Sequence, residues 1–179
     1  MTRLVFINGI STHGEGNVDI LRAHMKDMGY KTLDVWLPKR NVLTARWTGK
    51  TDANIILQVT NEDDILIAHS FGCLRSAYAM EQRVYKAVFM IAPAMAKDWK
   101  FGFEQLVYCF YSKRDSAITA GWALRFNHPF GAAGNTGFVN VPTGMQFETD
   151  YDHNGYFEHG IDFTKRRIDH EIKMLGITP

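Results

Sequence analysis

Four short runs carry no charged residue: Leu4–Ile7, Ile65–Ala68, Ala87–Ala92 and Leu106–Tyr111. A strand with one wet face alternates polar and apolar residues, and these do not. They read as strands buried on both faces, which requires a parallel sheet between two layers of helices. Lys31–Leu37, ended by Pro38, reads as a further strand, and residues 138–149 contain a last one whose limits Pro142 and Gly144 blur. Between the strands lie helical stretches. Val18–Met28 places Val18, Leu21, Met25 and Met28 at helical spacing and closes on Gly29. Thr51–Val59, Cys73–Glu81, Ser116–Arg125 and Tyr156–Leu175 are the other expected helices, the last with Lys165, Arg166 and Arg167 toward solvent. Residues 39–50, 94–104 and 127–137 read as irregular. The expectation is a single domain over residues 1–179, α/β and doubly wound, with ligands beyond the carboxyl ends of the strands.

Composition removes several function classes. A net charge of +1 in 179 residues offers no footprint for nucleic acid or an acidic membrane surface. The first apolar run is too short for a signal segment or a membrane span, so a cytoplasmic protein is expected. Cys73 and Cys109 read as reduced core residues rather than a disulfide framework.

The chemistry is carried by the junction at residue 70. The strand Ile65–Ala68 runs into His69-Ser70-Phe71-Gly72, and a helix follows at once. A serine between strand and helix, with small residues two before and two after it, has the layout of a nucleophile elbow. The chain must reverse in very little space, so Ala68 and Gly72 must lack bulk. A plain strand-to-helix turn with Ser70 as its cap is the bland reading.

A serine hydroxyl needs a base, and the base needs an acid to orient it. Asp115 directly follows the strand ending at Tyr111, and His153 follows the last strand, so Ser, Asp and His stand in chain order at three strand ends. Asp115 also suits a helix cap, and Asp150 and Asp152 are its rivals as acid. Of the other histidines, His69 should point away from Ser70, His24 and His170 read as helix-surface residues, His159 lies in the last helix, and His128 precedes Pro129. His13, in the glycine-rich loop after the first strand, is positioned to line a pocket. An oxyanion also needs two N–H donors: Phe71 follows the nucleophile, and Gly9 allows the Ile10 amide to face the site.

Taken together, these residues resemble the α/β-hydrolase superfamily, above all its small, cap-poor serine hydrolases. The loop after the first strand reads Asn8-Gly9 where that family often has His-Gly. The resemblance implies a trimmed sheet of about six strands, Ser70 as nucleophile, Asp115 as acid, His153 as base, and Ile10 and Phe71 as backbone oxyanion donors. It implies a small-molecule acyl substrate and no cofactor. No close-spaced ligand pair suggests a metal. Two other readings remain: loop 8–17 could cradle a phosphate, although it lacks P-loop and G-x-G-x-x-G spacing, or the fold could bind without catalysis. Trp99, Phe101, Phe103, Trp122, Phe126 and Phe130 fall in or near loops on the expected site side and suggest an apolar substrate group, or else core.

Overall fold

A computed structural model describes residues 1–10, 17–40, 42–123 and 131–179, with all their side chains but those of 42–46 and 120–123. Loop residues 11–16, His13 among them, and His128, Phe126 and Phe130 lie outside the described residues, as does the Trp122 side chain. The phosphate-cradle reading therefore falls largely outside them.

The elements run β1 (Leu4–Ile7), α1 (Asn17–Asp27), β2 (Thr32–Asp34), α2 (Val42–Val59), β3 (Ile65–His69), α3 (Phe71–Met80), β4 (Ala87–Ile91), β5 (Val107–Ser112), α4 (Ser116–Ala123), α5 (Ala133–Thr136), β6 (Gln146–Thr149) and α6 (Ile161–Met174). The six strands form one sheet in the order β2-β1-β3-β4-β5-β6. Each neighbouring pair is parallel.

Alternate side chains along each inner strand feed two different cores. Val5 and Ile7, Leu66 and Ala68, Val88 and Met90 face α2 and α3, packing with Ala53, Ile56, Leu74 and Ala77. Leu4 and Phe6, Ile65 and Ile67, Phe89 and Ile91 face α1 and α6, packing with Val18, Leu21, Ile168 and Ile172. This is why the inner strands show no polar positions.

The strand order reverses at β1, since the chain first moves to β2 on one side and then crosses to β3 on the other. In open α/β sheets the ligand crevice lies at such a reversal, here the carboxyl ends of β1 and β3. Residues 8–10, after β1, and Ser70, after β3, flank that point. Among the described residues no helix is long and apolar enough to cross a membrane.

Three expected boundaries are corrected. Residues 42–50, read as irregular, are the first half of α2. Gly49 looks like a breaker, but it sits where α3 comes close: a Cβ there would stand 2.9 Å from the Tyr78 ring. Packing between helices overrides its poor propensity. Tyr156–Gly160, expected as helix, is a run of turns that buries Tyr156 and Phe157 in the core before α6 starts at Ile161. The strand expected over 31–37 is only three residues long, as suits an edge, although Val35 and Leu37 beyond it are still buried.

Candidate active site

Ser70 sits at φ 56° and ψ −124°, in the left-handed half of backbone space that a non-glycine residue enters at a cost of about 1–3 kcal/mol. The conformation is held from several sides. Its N–H donates to Ile91 O at 3.0 Å, and its carbonyl accepts from Cys73 N at 3.1 Å and Ala94 N at 3.2 Å. Small residues make room for it. A Cβ on Gly72 would stand 2.4 Å from Ile7 O and 2.7 Å from Asn8 O, and one on Gly9 would stand 3.2 Å from Ser70 Cβ. Ala68, where the hydrolase elbow usually has glycine, is fully buried, and the Cys73 thiol donates to its carbonyl at 3.3 Å.

Three strand ends bring their side chains together here. His153 Nε2 lies 2.9 Å from Ser70 Oγ. His153 Nδ1 lies 2.8 Å from Asp115 Oδ2. The other carboxylate oxygen of Asp115 accepts the Ile118 N–H at 3.0 Å, capping α4. Asp115 thus caps α4 with one oxygen and meets His153 with the other. Asn135 Nδ2 braces the same corner by donating to the Asp115 carbonyl at 2.9 Å. The rival carboxylates are otherwise engaged. Asp152 Oδ1 accepts from Gly155 N at 2.7 Å, and Asp150 makes a solvent-exposed contact with Arg114.

With Asp115 accepting from Nδ1–H, the Nε2 of a neutral His153 is left as an acceptor, aimed at the serine hydroxyl. Phe71 opens α3 and stands at the positive end of its dipole. Gly9 abuts Ser70, and Ile10 follows it in the same loop, with Ile10 O accepting from Arg40 N at 3.0 Å.

No protein-family model matches the chain. No curated protein matches its sequence. Solved structures do match. An esterase of Pyrococcus furiosus superposes with a TM-score of 0.65 at 11% identity, over 97% of this chain and 82% of its own. Alpha/beta hydrolase domain-containing protein 10 from mouse gives 0.61 at 14% identity, over 96% and 90%. This chain has the α/β-hydrolase fold. The ydeN gene product of B. subtilis agrees, with a TM-score of 0.60 at 14% identity and 97% coverage of both chains. In this α/β-hydrolase fold the segment between β4 and β5 carries no helix, so no helical lid is built there.

Two aromatic residues change place relative to the sequence reading. Phe101 and Phe103 line a groove of about 710 Å³ together with Leu106 and Val107, at the amino-terminal start of β5. That is the far end of the sheet from Ser70, so they do not line its side of the sheet. Trp99 packs edge-on against Tyr78 at 5.3 Å between ring centroids.

The sequence reading gave His69 no part, and the structure puts it beside His153. Its Nε2 lies 3.1 Å from the His153 carbonyl oxygen, so that nitrogen must carry the proton. Its ring lies 4.7 Å from the His153 ring and 4.8 Å from that of Phe157. The last residue of β3 thus anchors the loop that carries the imidazole. The only signal in the sequence is its place before the serine.

Burial, with His153 as a neighbour, holds His69 well below the ordinary imidazole value of 6.5. The unfolded chain takes up a proton on this residue near that pH, while the folded chain resists it. Stability is therefore complete above about pH 6.5 and falls progressively below it. Thermal melts of the wild type should lose stability between pH 6.5 and 5 more steeply than those of His69→Gln, which has no proton to gain. Parallel curves would mean that His69 carries no such linkage.

Proposed function

We propose that this chain is a serine hydrolase that cleaves a carboxylic ester or related acyl bond through an acyl-enzyme on Ser70. The observation that carries the reading is the continuous hydrogen-bonded line from Asp115 through His153 to Ser70, with links of 2.8 and 2.9 Å. His153 Nε2 takes the Ser70 proton as Oγ attacks the carbonyl carbon. The oxyanion of the tetrahedral intermediate accepts from the Ile10 and Phe71 N–H groups. His153 then returns the proton to the leaving oxygen, and the acyl group stays on Ser70. Water, deprotonated by His153, attacks that ester; the bond to Ser70 Oγ breaks, His153 returns the proton to Oγ, and the acid leaves. Asp115 keeps the imidazole in the required tautomer and stabilises its cation. The likeness to an esterase and to hydrolase-domain proteins supports this choice of chemistry.

The test is labelling by a fluorophosphonate probe and turnover of p-nitrophenyl acetate. Wild type should do both, and Ser70→Ala should do neither while melting at the wild-type temperature. A folded wild type that does neither would leave a hydrolase-like binding module in place of an enzyme.

A further inference from the structure

Arg75 is buried in α3, one turn beyond the nucleophile, with its side chain 1% exposed. A buried guanidinium is costly unless its donors are met, so its partners show what it is for. All three nitrogens are occupied. Nε donates to Asp52 Oδ2 at 3.0 Å. Nη2 donates to Pro38 O at 3.0 Å and lies 2.8 Å from Asp52 Oδ2. Nη1 donates to the carbonyls of Asn8 and Gly9, each at 3.3 Å. The guanidinium stands over the Phe71 ring, with Cζ 4.6 Å from its centroid.

We propose that Arg75 is a positioning residue for the oxyanion hole: by holding the Gly9 carbonyl, it turns the Ile10 N–H toward the space above Ser70. The role rests on the serine-hydrolase reading. In a planar trans peptide the C=O and the following N–H point in opposite directions. The Gly9 oxygen faces Arg75, so the Ile10 N–H faces away from it. Gly9 abuts the nucleophile, since a Cβ placed there would stand 3.6 Å from Ser70 Oγ. Among the described residues the Ile10 N–H has no hydrogen-bond acceptor, which suits a donor kept for a bound oxyanion. The far side of Ile10 is tied by the same network. Arg40 donates its backbone N–H to Ile10 O at 3.0 Å, and its guanidinium shares Asp52 through Oδ1 at 2.7 Å. One buried carboxylate on α2 thus fixes two arginines, which hold the loop on both sides of the donor peptide. Lysine could not replace Arg75, because a single ammonium cannot span Asp52 and the loop carbonyls at once.

Arg75→Met tests this without stranding a charge, because Asp52 stays paired with Arg40. A donor used mainly in the transition state affects kcat rather than KM. With p-nitrophenyl acetate, kcat should fall about 10- to 100-fold with KM within about twofold, somewhat less than deletion of an oxyanion donor costs. Phenylboronic acid supplies the readout that a bracing role would not move. Its boron bonds to Ser70 Oγ, the proton passes to His153, and one boronate oxygen occupies the hole, so its Ki should rise by a factor similar to the fall in kcat/KM. An unchanged kcat, or a lower kcat with an unchanged Ki, overturns the role. Should Arg75→Met fail to fold, Arg75→Lys carries the same comparison, with a loss of about fivefold or more expected in both readouts; wild-type values there overturn the role. A wild type inert to fluorophosphonate and ester overturns the hydrolase reading and this role with it. An active wild type matched by its variants overturns the role of Arg75 alone.

Discussion

If the proposed hydrolase mechanism holds, Asp115→Asn should lower turnover of a p-nitrophenyl ester by about 10⁴-fold while leaving the protein folded. The two carboxylate oxygens have separate tasks. Oδ1 caps α4 through Ile118 N, and Oδ2 accepts from His153 Nδ1. Asparagine keeps an oxygen for the cap and is as good a cap as aspartate. Its amide nitrogen must then face the imidazole, and it can only donate. His153 is pushed into the tautomer protonated at Nε2, which cannot take the Ser70 proton. Asp115→Ala loses both tasks and should give up about 1 kcal/mol of stability as well, the usual cost of an N-cap. Steady-state kinetics and thermal melts of the two variants separate the tasks. Near-wild-type turnover in Asp115→Asn would leave this residue as a cap and nothing more.

Gly72→Ala should lower stability sharply for the exchange of a single hydrogen atom on the Cα. The added methyl would stand 2.4 Å from Ile7 O and 2.7 Å from Asn8 O. Both are backbone atoms at the end of β1, so no side chain can swing aside. Either α3 lifts from the sheet or the β1 end moves, and in both cases the elbow separates from the loop that carries Ile10. Overpacking of this kind costs about 3 kcal/mol or more. For a chain of this length that lowers Tm by roughly 6–12 °C. Gly102→Ala is the control, because nothing lies within 4 Å of a Cβ there. A Gly72→Ala melt within the scatter of that control would show that the contact between α3 and β1 is looser than described.

Parts of the fold and of the site could be read along the chain, and particular residues show why. The four apolar runs all became inner strands, because burial on both faces removes every polar position. Gly72 was readable as a steric need, since the elbow is a local turn. Residues 42–50 read as irregular because what lets Gly49 stand in a helix lies in another helix, at Tyr78. Tyr156 and Phe157 mimicked the start of a helix because a buried turn and a buried helix face use the same residues. Asp115 was readable as cap or as acid, and only the fold shows one carboxylate serving both partners. His69 and Arg75 left no trace in periodicity: the first is one more strand residue, the second one more helix residue with a long polar side chain.

The amino-acid order by itself determined the layered α/β architecture and the small residues around Ser70, because burial and turn sterics act over a few residues at a time. Tertiary structure alone decided that residues 70, 115 and 153 meet, that β1 and β3 lie side by side at the point of reversal, and that an arginine is buried beneath the loop between them. Such convergence depends on strand order and on which side chains share one small volume, and neither is written in any local stretch of the chain.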